Sequence, residues 1–151
     1  MQLEDPGPLT DGEFWLELKE MKPGIPEKGW VPAFFFRLRL KGVEESVGRI
    51  DLRIGNPERM IMFGGHIGYG VEPQFRGKGY AARACRLLFP LAKKYGINPI
   101  WITCAPDNKA SSRTCENAGG KYVETVDLPL DHEMRTDNPG RTQSMRYRFD
   151  L

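Results

Sequence analysis

The stretch Gly65-His66-Ile67-Gly68-Tyr69-Gly70-Val71-Glu72-Pro73-Gln74-Phe75-Arg76-Gly77-Lys78-Gly79-Tyr80-Ala81 changes its period halfway along. In its first half Ile67, Tyr69 and Val71 alternate with His66, Gly68, Gly70 and Glu72, which predicts a strand. Two glycines on one face mean that something comes close to that backbone or that the strand bulges. From Gly77 to Tyr95 the period becomes helical, with Ala81, Ala84, Leu87, Leu88, Leu91, Ala92 and Tyr95 forming one apolar stripe. A strand therefore ends at Glu72-Pro73, and a glycine-rich turn leads directly into a helix. The first N–H groups of a helix lack intrahelical partners and carry partial positive charge. Glycines 77 and 79 let an anion reach that backbone, and Arg76 and Lys78 add charge, so the turn suits a phosphate-bearing ligand. The plainer reading is a strand-to-helix turn with exposed basic residues.

Outward from this point, alternation predicts strands over about Glu13 to Glu20, Pro32 to Leu40 and Val47 to Ile54, with an irregular loop from Lys22 to Trp30. Pro90 predicts a kink in the long helix, and Gly96 its stop. A short strand over Pro99 to Cys104 follows, then a helix over Asn108 to Ala118 and closing strands over Lys121 to Val126 and Ser144 to Phe149. Asp127 to Gln143 is a long polar connection, of the kind that is usually functional or mobile. Trp30, Trp101 and Phe34 to Phe36 read as core, and the Asp131-His132-Glu133 cluster as solvated and a weak attractor of cationic amines.

The 151 residues have the size of one domain with one core, expected over 1–151. A net charge of +2, spread along the chain, gives no reason to propose nucleic acid. No apolar run approaches the roughly 20 residues that span a bilayer. The acidic, Pro- and Gly-rich N-terminus is unlike a signal peptide. Cys85, Cys104 and Cys115 cannot all pair and lack metal-ligand spacing, so free thiols in a reducing cytoplasm and no metal are expected.

Gly77-Lys78-Gly79-Tyr80-Ala81-Ala82 also fits the glycine fingerprint of dinucleotide-binding oxidoreductases. Against that fit, Gln74-Phe75-Arg76 separates the strand from the first glycine, and the next strand ends in Thr103-Cys104 rather than an acidic residue.

Gln74-x-x-Gly77-x-Gly79, with Arg76 to Ala81 nested in it, resembles the acetyl-CoA signature of the GCN5-related N-acetyltransferases (GNAT). Ile67-Gly68-Tyr69 to Val71-x-Pro73 is similar to that family's fourth strand, and Asn108-x-x-Ser111 to Gly119 to the helix after its fifth. The three blocks share the family's spacing. The resemblance implies an α/β (α+β) fold: a mixed, mostly antiparallel twisted sheet of six or seven strands flanked by helices. The N-terminal helical region would be abbreviated, since only Thr10 to Gly29 precedes the second strand.

It also implies a transfer of the acetyl group from acetyl-CoA to a primary amine of a small molecule or peptide, by direct attack in a ternary complex. The amides of Arg76, Gly77, Lys78, Gly79, Tyr80 and Ala81 would hold the pyrophosphate, with Gln74 part of the signature. Ile67, Tyr69 and Val71 would run beside the pantetheine, which Asn108 would bond with Ser111 or Ser112 nearby. The Val71 N–H would stabilise the oxyanion. The resemblance breaks at the general acid, because Cys115 stands where the family often has a tyrosine. Cys115 is then either a proton donor or a small packing residue with water as the acid. His66 and Glu72 are the candidate bases. A non-catalytic acyl-CoA-binding module is the alternative that the missing tyrosine keeps open. A monomer or homodimer with no membrane partner is expected.

Overall fold

The computed structural model describes residues 2–151. Four antiparallel strands come first in space: β1 (Phe14–Lys22), β2 (Ala33–Leu40), β3 (Gly48–Arg53) and β4 (Ile67–Val71), in the order β1-β2-β3-β4. After helix α1 (Tyr80–Lys94), β5 (Ile100–Cys104), helix α2 (Lys109–Asn117), β6 (Lys121–Asp127), helix α3 (Glu133–Asp137) and β7 (Gln143–Phe149) complete the chain. The last three strands form a second antiparallel sheet in the order β5-β7-β6. Seven strands in two sheets with flanking helices agree with the expected fold class, the discontinuity lying between β4 and β5.

The apolar periodicities select the core. Ile50 and Leu52 of β3 and Ile67 of β4 are buried with Ala84, Cys85, Leu88 and Ala92 of α1, and Ile100, Ile102, Tyr147 and Phe149 continue the same cluster. Burial of each large apolar side chain contributes roughly 1.5–3 kcal/mol. Helix α1 runs through Pro90 unbroken. Pro90 is exposed, so the carbonyl it cannot serve faces water rather than core. The segment before β2 holds only a short turn, Pro26–Lys28, so the N-terminal region is abbreviated as expected. Trp30 departs from its expected place in the core: it is 59% exposed, with the Lys28 ammonium 4.7 Å from its ring.

One seam joins the two sheets. Gly65 bridges Ile102, and the His66 N–H donates to the Trp101 carbonyl at 2.7 Å. The His66 side chain completes the seam. Its Nδ1 accepts from the Trp101 N–H at 2.9 Å, which leaves the proton on Nε2, within 3.1 Å of the Gly55 carbonyl and 2.9 Å of the Asn56 Oδ1. Both ring nitrogens are occupied and the residue is 0% exposed. His66 is thus a structural tie, which corrects its sequence-based candidacy as a base.

Burial holds the His66 pKa down to about 4, helped by the nearby Arg53 charge and opposed by the bond to Gly55. Because the folded pKa lies below the unfolded one near 6.5, the unfolded chain binds the proton first on acidification. This group's contribution, about 3 kcal/mol, is present above pH 6.5 and is lost as pH falls toward 4. Urea titrations across that window should show a shallower pH dependence for His66→Gln than for the wild type. Parallel curves would remove this role.

Candidate active site

The ladder between β3 and β4 determines which amides are free. Glu72 N–H donates to Val47 and Arg53 N–H donates to His66, so in the register Gly48↔Val71, Ile50↔Tyr69 the hydrogen-bonded pairs are those of Gly70 and Gly68. Antiparallel alternation then turns the N–H groups of Ile67, Tyr69 and Val71 away from β3, into the split before β5. The Val71 carbonyl is taken by Arg76 Nε at 2.8 Å, which folds the arginine back over the strand end.

Beyond that point Pro73–Phe75 makes one tight turn, and Gly77 and Gly79 adopt φ of 81° and 78°. Only glycine enters that left-handed region without strain. Gly79 caps α1 with no side-chain bond, and its carbonyl receives the Arg83 N–H, so the first amides of α1 stay exposed at the helix's positive end. A Cβ built on either glycine meets nothing within 4 Å, which leaves the approach to these amides open. A cavity of about 490 Å³ runs from here along Val71 and Tyr69 to Asn108 and Ser111 on α2.

A second cavity, about 280 Å³, shares Tyr69, Asn108 and Ser111 with the first. The two therefore meet in the split. Its floor is the face of β3 and β4 turned away from α1, where Arg49, Asp51 and Arg53 stand opposite Gly70, Gly68 and His66. Of the two alternatives for the paired glycines, the close approach of another group holds at Gly68. A Cβ on Gly68 would lie 2.8 Å from an Asp51 carboxylate oxygen and 3.1 Å from Arg53, and one on Gly70 would meet Arg49 at 3.6 Å. The side chain absent at Gly68 leaves room for the Asp51 carboxylate, whereas Gly70 would meet Arg49 only at ordinary contact distance and also lines the larger cavity.

Asp51 is 7% exposed and pairs with Arg53 at 3.3 Å. Burial raises its pKa above the usual carboxylate value, against the opposing pull of Arg53 and Arg49. Arg53 also holds the Gly65 carbonyl at 2.6 Å, fixing the turn that leads into β4. Sequence reasoning missed Asp51, Arg49, Arg53 and Arg141, the last of which also lines this cavity. The signal was available in the alternation of Arg49, Asp51 and Arg53 with Ile50 and Leu52, which put three charges on one strand face.

The other candidates divide. Tyr69, Val71, Arg76, Gly77, Gly79, Tyr80, Ala81, Asn108 and Ser111 all line the larger cavity. Ile67 lines the smaller one instead, while exposed Gln74 and Lys78 line neither. Asn108 caps α2 by accepting the Ser111 N–H at 3.1 Å. Ser112 is withdrawn as a cofactor ligand, because its hydroxyl is hydrogen-bonded to Tyr147 of β7. Glu72, the other candidate base, is exposed at the strand end and lines neither cavity.

Cys115 is 0% exposed and lines neither cavity, and its Cys104 neighbour and burial push its thiol pKa up. It is a packing residue with its Sγ 4.0 Å from the Tyr69 hydroxyl. That hydroxyl lies 2.6 Å from Ser111 Oγ, and burial raises its pKa, so Tyr69 keeps its proton at the junction of the cavities. In the acidic loop Asp131 and Glu133 are exposed as expected, Glu133 pairing with Arg59 at 3.1 Å, but His132 departs from the expectation: it is buried as the cap of α3.

Among the described residues, no group of three or more His, Cys, Asp or Glu is placed to hold a metal ion, and no helix is long and apolar enough to cross a membrane.

A family model described as an acetyltransferase (GNAT) domain matches residues 1–121. A search of curated proteins finds no match. Among solved structures, a ribosomal L7/L12 alpha-N-protein acetyltransferase in complex with coenzyme A aligns with TM-score 0.68 and 12% identity, over 95% of this chain and 98% of that one. The microcin C7 self-immunity acetyltransferase, in complex with acetyl-CoA and AMP, aligns with TM-score 0.60 and 20% identity over 79% of this chain. A ribosomal-protein-S5-alanine acetyltransferase from Vibrio fischeri aligns with TM-score 0.61 and 18% identity over 78% of this chain. The match spans 61% of the length of each of these last two proteins.

The geometry at Gly68 and Gly70 predicts a contrast. Gly68→Ala must push the Asp51 carboxylate aside and should cost about 1–3 kcal/mol in urea unfolding. Gly70→Ala, with its nearest neighbour at ordinary contact distance, should stay within about 0.5 kcal/mol of the wild type. Equal effects would mean that the Asp51 carboxylate does not occupy the space above Gly68.

Proposed function

The chain belongs to the GNAT acetyltransferase family, and from that premise we propose that it moves an acetyl group from acetyl-CoA to a primary amine of a small molecule or peptide, by direct attack in a ternary complex. The observation that carries this reading is the meeting of two cavities at Tyr69, Asn108 and Ser111, one bordered by the open amides of α1 and the other by Asp51. In this reading residues 1–151 act as one domain, as a monomer or homodimer.

The amides from Arg76 through Ala81 receive the pyrophosphate of acetyl-CoA at the positive end of α1. Asn108 and Ser111 border the path of the pantetheine arm. The Val71 N–H, turned into the split, donates to the thioester oxygen and stabilises the charge that develops there. Fixed positions for both reactants supply much of the rate, because attack then needs no further search.

The amine enters from the smaller cavity. Asp51 takes one proton from its ammonium form, the freed amine attacks the thioester carbonyl, and the C–S bond breaks as the C–N bond forms. One of the two protons left on the nitrogen passes through water to the leaving thiolate, the other staying on the amide, with the Tyr69 hydroxyl as a hydrogen-bond donor beside it. Asp51 suits the base role because it is buried and its pKa is raised toward the working range. In the alternative of a non-catalytic acyl-CoA-binding module, Asp51 would serve only to hold Arg53.

Calorimetric titration with acetyl-CoA, with NADH as the control, tests the first premise. The wild type should bind acetyl-CoA and give no heat with NADH. Gly79→Asp, which sets a negative charge among the open amides, should weaken acetyl-CoA binding at least tenfold while the melting transition stays cooperative. Retained affinity in that variant would refute the phosphate-loop assignment.

Asp51→Asn should lower kcat/KM at least a hundredfold with acetyl-CoA affinity unchanged. The acid limb of the wild-type kcat/KM profile should rise with pH through a pKa above the ordinary carboxylate value, and the variant should lose that limb. A persistent limb would mean that another group takes the proton.

A further inference from the structure

The smaller cavity carries more information than a place for an amine. Three arginines and one aspartate line it: Arg49, Asp51 and Arg53 in alternation along β3, and Arg141 facing them from the segment before β7. Their states differ. Arg53 is committed to Asp51 and to the Gly65 carbonyl. Among the described residues, Arg49 and Arg141 have no carboxylate within 4.0 Å. Arg141 donates to Ser144 Oγ at 2.9 Å, yet its Nε is buried with no hydrogen-bond partner. A buried guanidinium nitrogen without an acceptor is costly, so the Arg141 head is incompletely satisfied within the chain. Asp107 acts on Arg141 through its field alone.

Resting on the acetyl-transfer reading above, we infer that the acceptor is a small amine that carries an anionic group, a carboxylate or phosphonate, which Arg49 and Arg141 hold while its ammonium faces Asp51. The charges then match end to end. A positively charged second group would meet the two free arginines and be repelled. A neutral amine would bring no counter-charge to either arginine. Planar guanidinium groups bind carboxylate and phosphonate oxygens in pairs, which also orients the amine. The volume of about 280 Å³ lies at or below the small end of ordinary ligand sites, roughly 300 to 1,000 Å³, and so favours a compact molecule over a peptide. The acceptor's chemistry is thus the reverse of the cationic amine suggested by the acidic residues of the loop.

The test uses the purified full chain with acetyl-CoA, following release of the free thiol and confirming the amide product by mass. The acceptors are β-alanine, 4-aminobutyrate and 2-aminoethylphosphonate, against neutral propylamine and 3-aminopropanol, cationic 1,4-diaminobutane, and a peptide with an acidic N-terminal sequence. At least one of the three anionic amines should exceed the neutral and cationic ones at least tenfold in kcat/KM. Arg49→Gln and Arg141→Gln should each reduce that ratio at least tenfold, mainly through KM, whereas Arg141→Lys should retain most of it. Circular dichroism establishes that each variant is folded.

Preference for neutral or cationic amines would overturn the inference and leave acetyl transfer standing. So would transfer to the peptide alone, or an unchanged ratio in the folded arginine variants. Binding of acetyl-CoA with no transfer to any small anionic amine also counts against it. Failure to bind acetyl-CoA at all would instead remove the reading on which it rests.

Discussion

The rest of the site depends on a hydrogen-bond ladder that stops. Strand β4 pairs along its whole length with β3, but its other edge meets the second sheet only where Gly65 bridges Ile102 and His66 joins Trp101. Backbone amides are obligatory donors, so a strand edge left without a neighbour is prepared for something else to bind. Here the alternation of the ladder turns the N–H groups of Tyr69 and Val71 into that gap. His66 keeps the gap from spreading to the seam by filling both ring nitrogens with partners from β5 and the loop after β3.

Two chemically different cavities follow from this one opening. On the side of α1, an uncapped helix terminus and two left-handed glycines leave positive amides accessible. On the opposite face of the same strands, Gly68 of β4 leaves room for the Asp51 carboxylate of β3. The apolar residues between them, Ile50 and Leu52, point into the core and hold β3 rigid, so the charged face rests on a packed element rather than a loop. Burial then gives Asp51 its raised pKa, and the arginines beside it keep the carboxylate within reach of ionisation. The thiols contribute packing: Cys85, Cys104 and Cys115 are all free and buried.

Much of the frame was legible along the chain. The alternation of Ile67, Tyr69 and Val71, the helical stripe from Ala81 to Tyr95, and the glycines that separate them identify strand, turn and helix through local periodicity and backbone freedom alone. The same applies to Asn108, whose side chain caps the helix it precedes. These are short-range properties, determined within a few residues of sequence. The shape of the family resemblance, three blocks at fixed spacing, adds the order in which such units are joined.

What tertiary structure decided is which side chains face one another. His66 and Glu72 share a strand face and were equivalent as candidate bases, yet one is sealed in the seam and the other lies in solvent. Ser111 and Ser112 are adjacent, and their divergence toward Tyr69 and Tyr147 depends on how α2 packs across two sheets. Asp51 and Arg141 lie 90 positions apart, counting from one number to the other, and become neighbours of one cavity only after both sheets have closed. The sequence by itself determined the elements and the glycine-rich turn before α1, because those rest on local backbone geometry. The smaller, charged cavity required the folded chain, because its charges come from distant segments and the burial of Asp51 depends on everything packed around it.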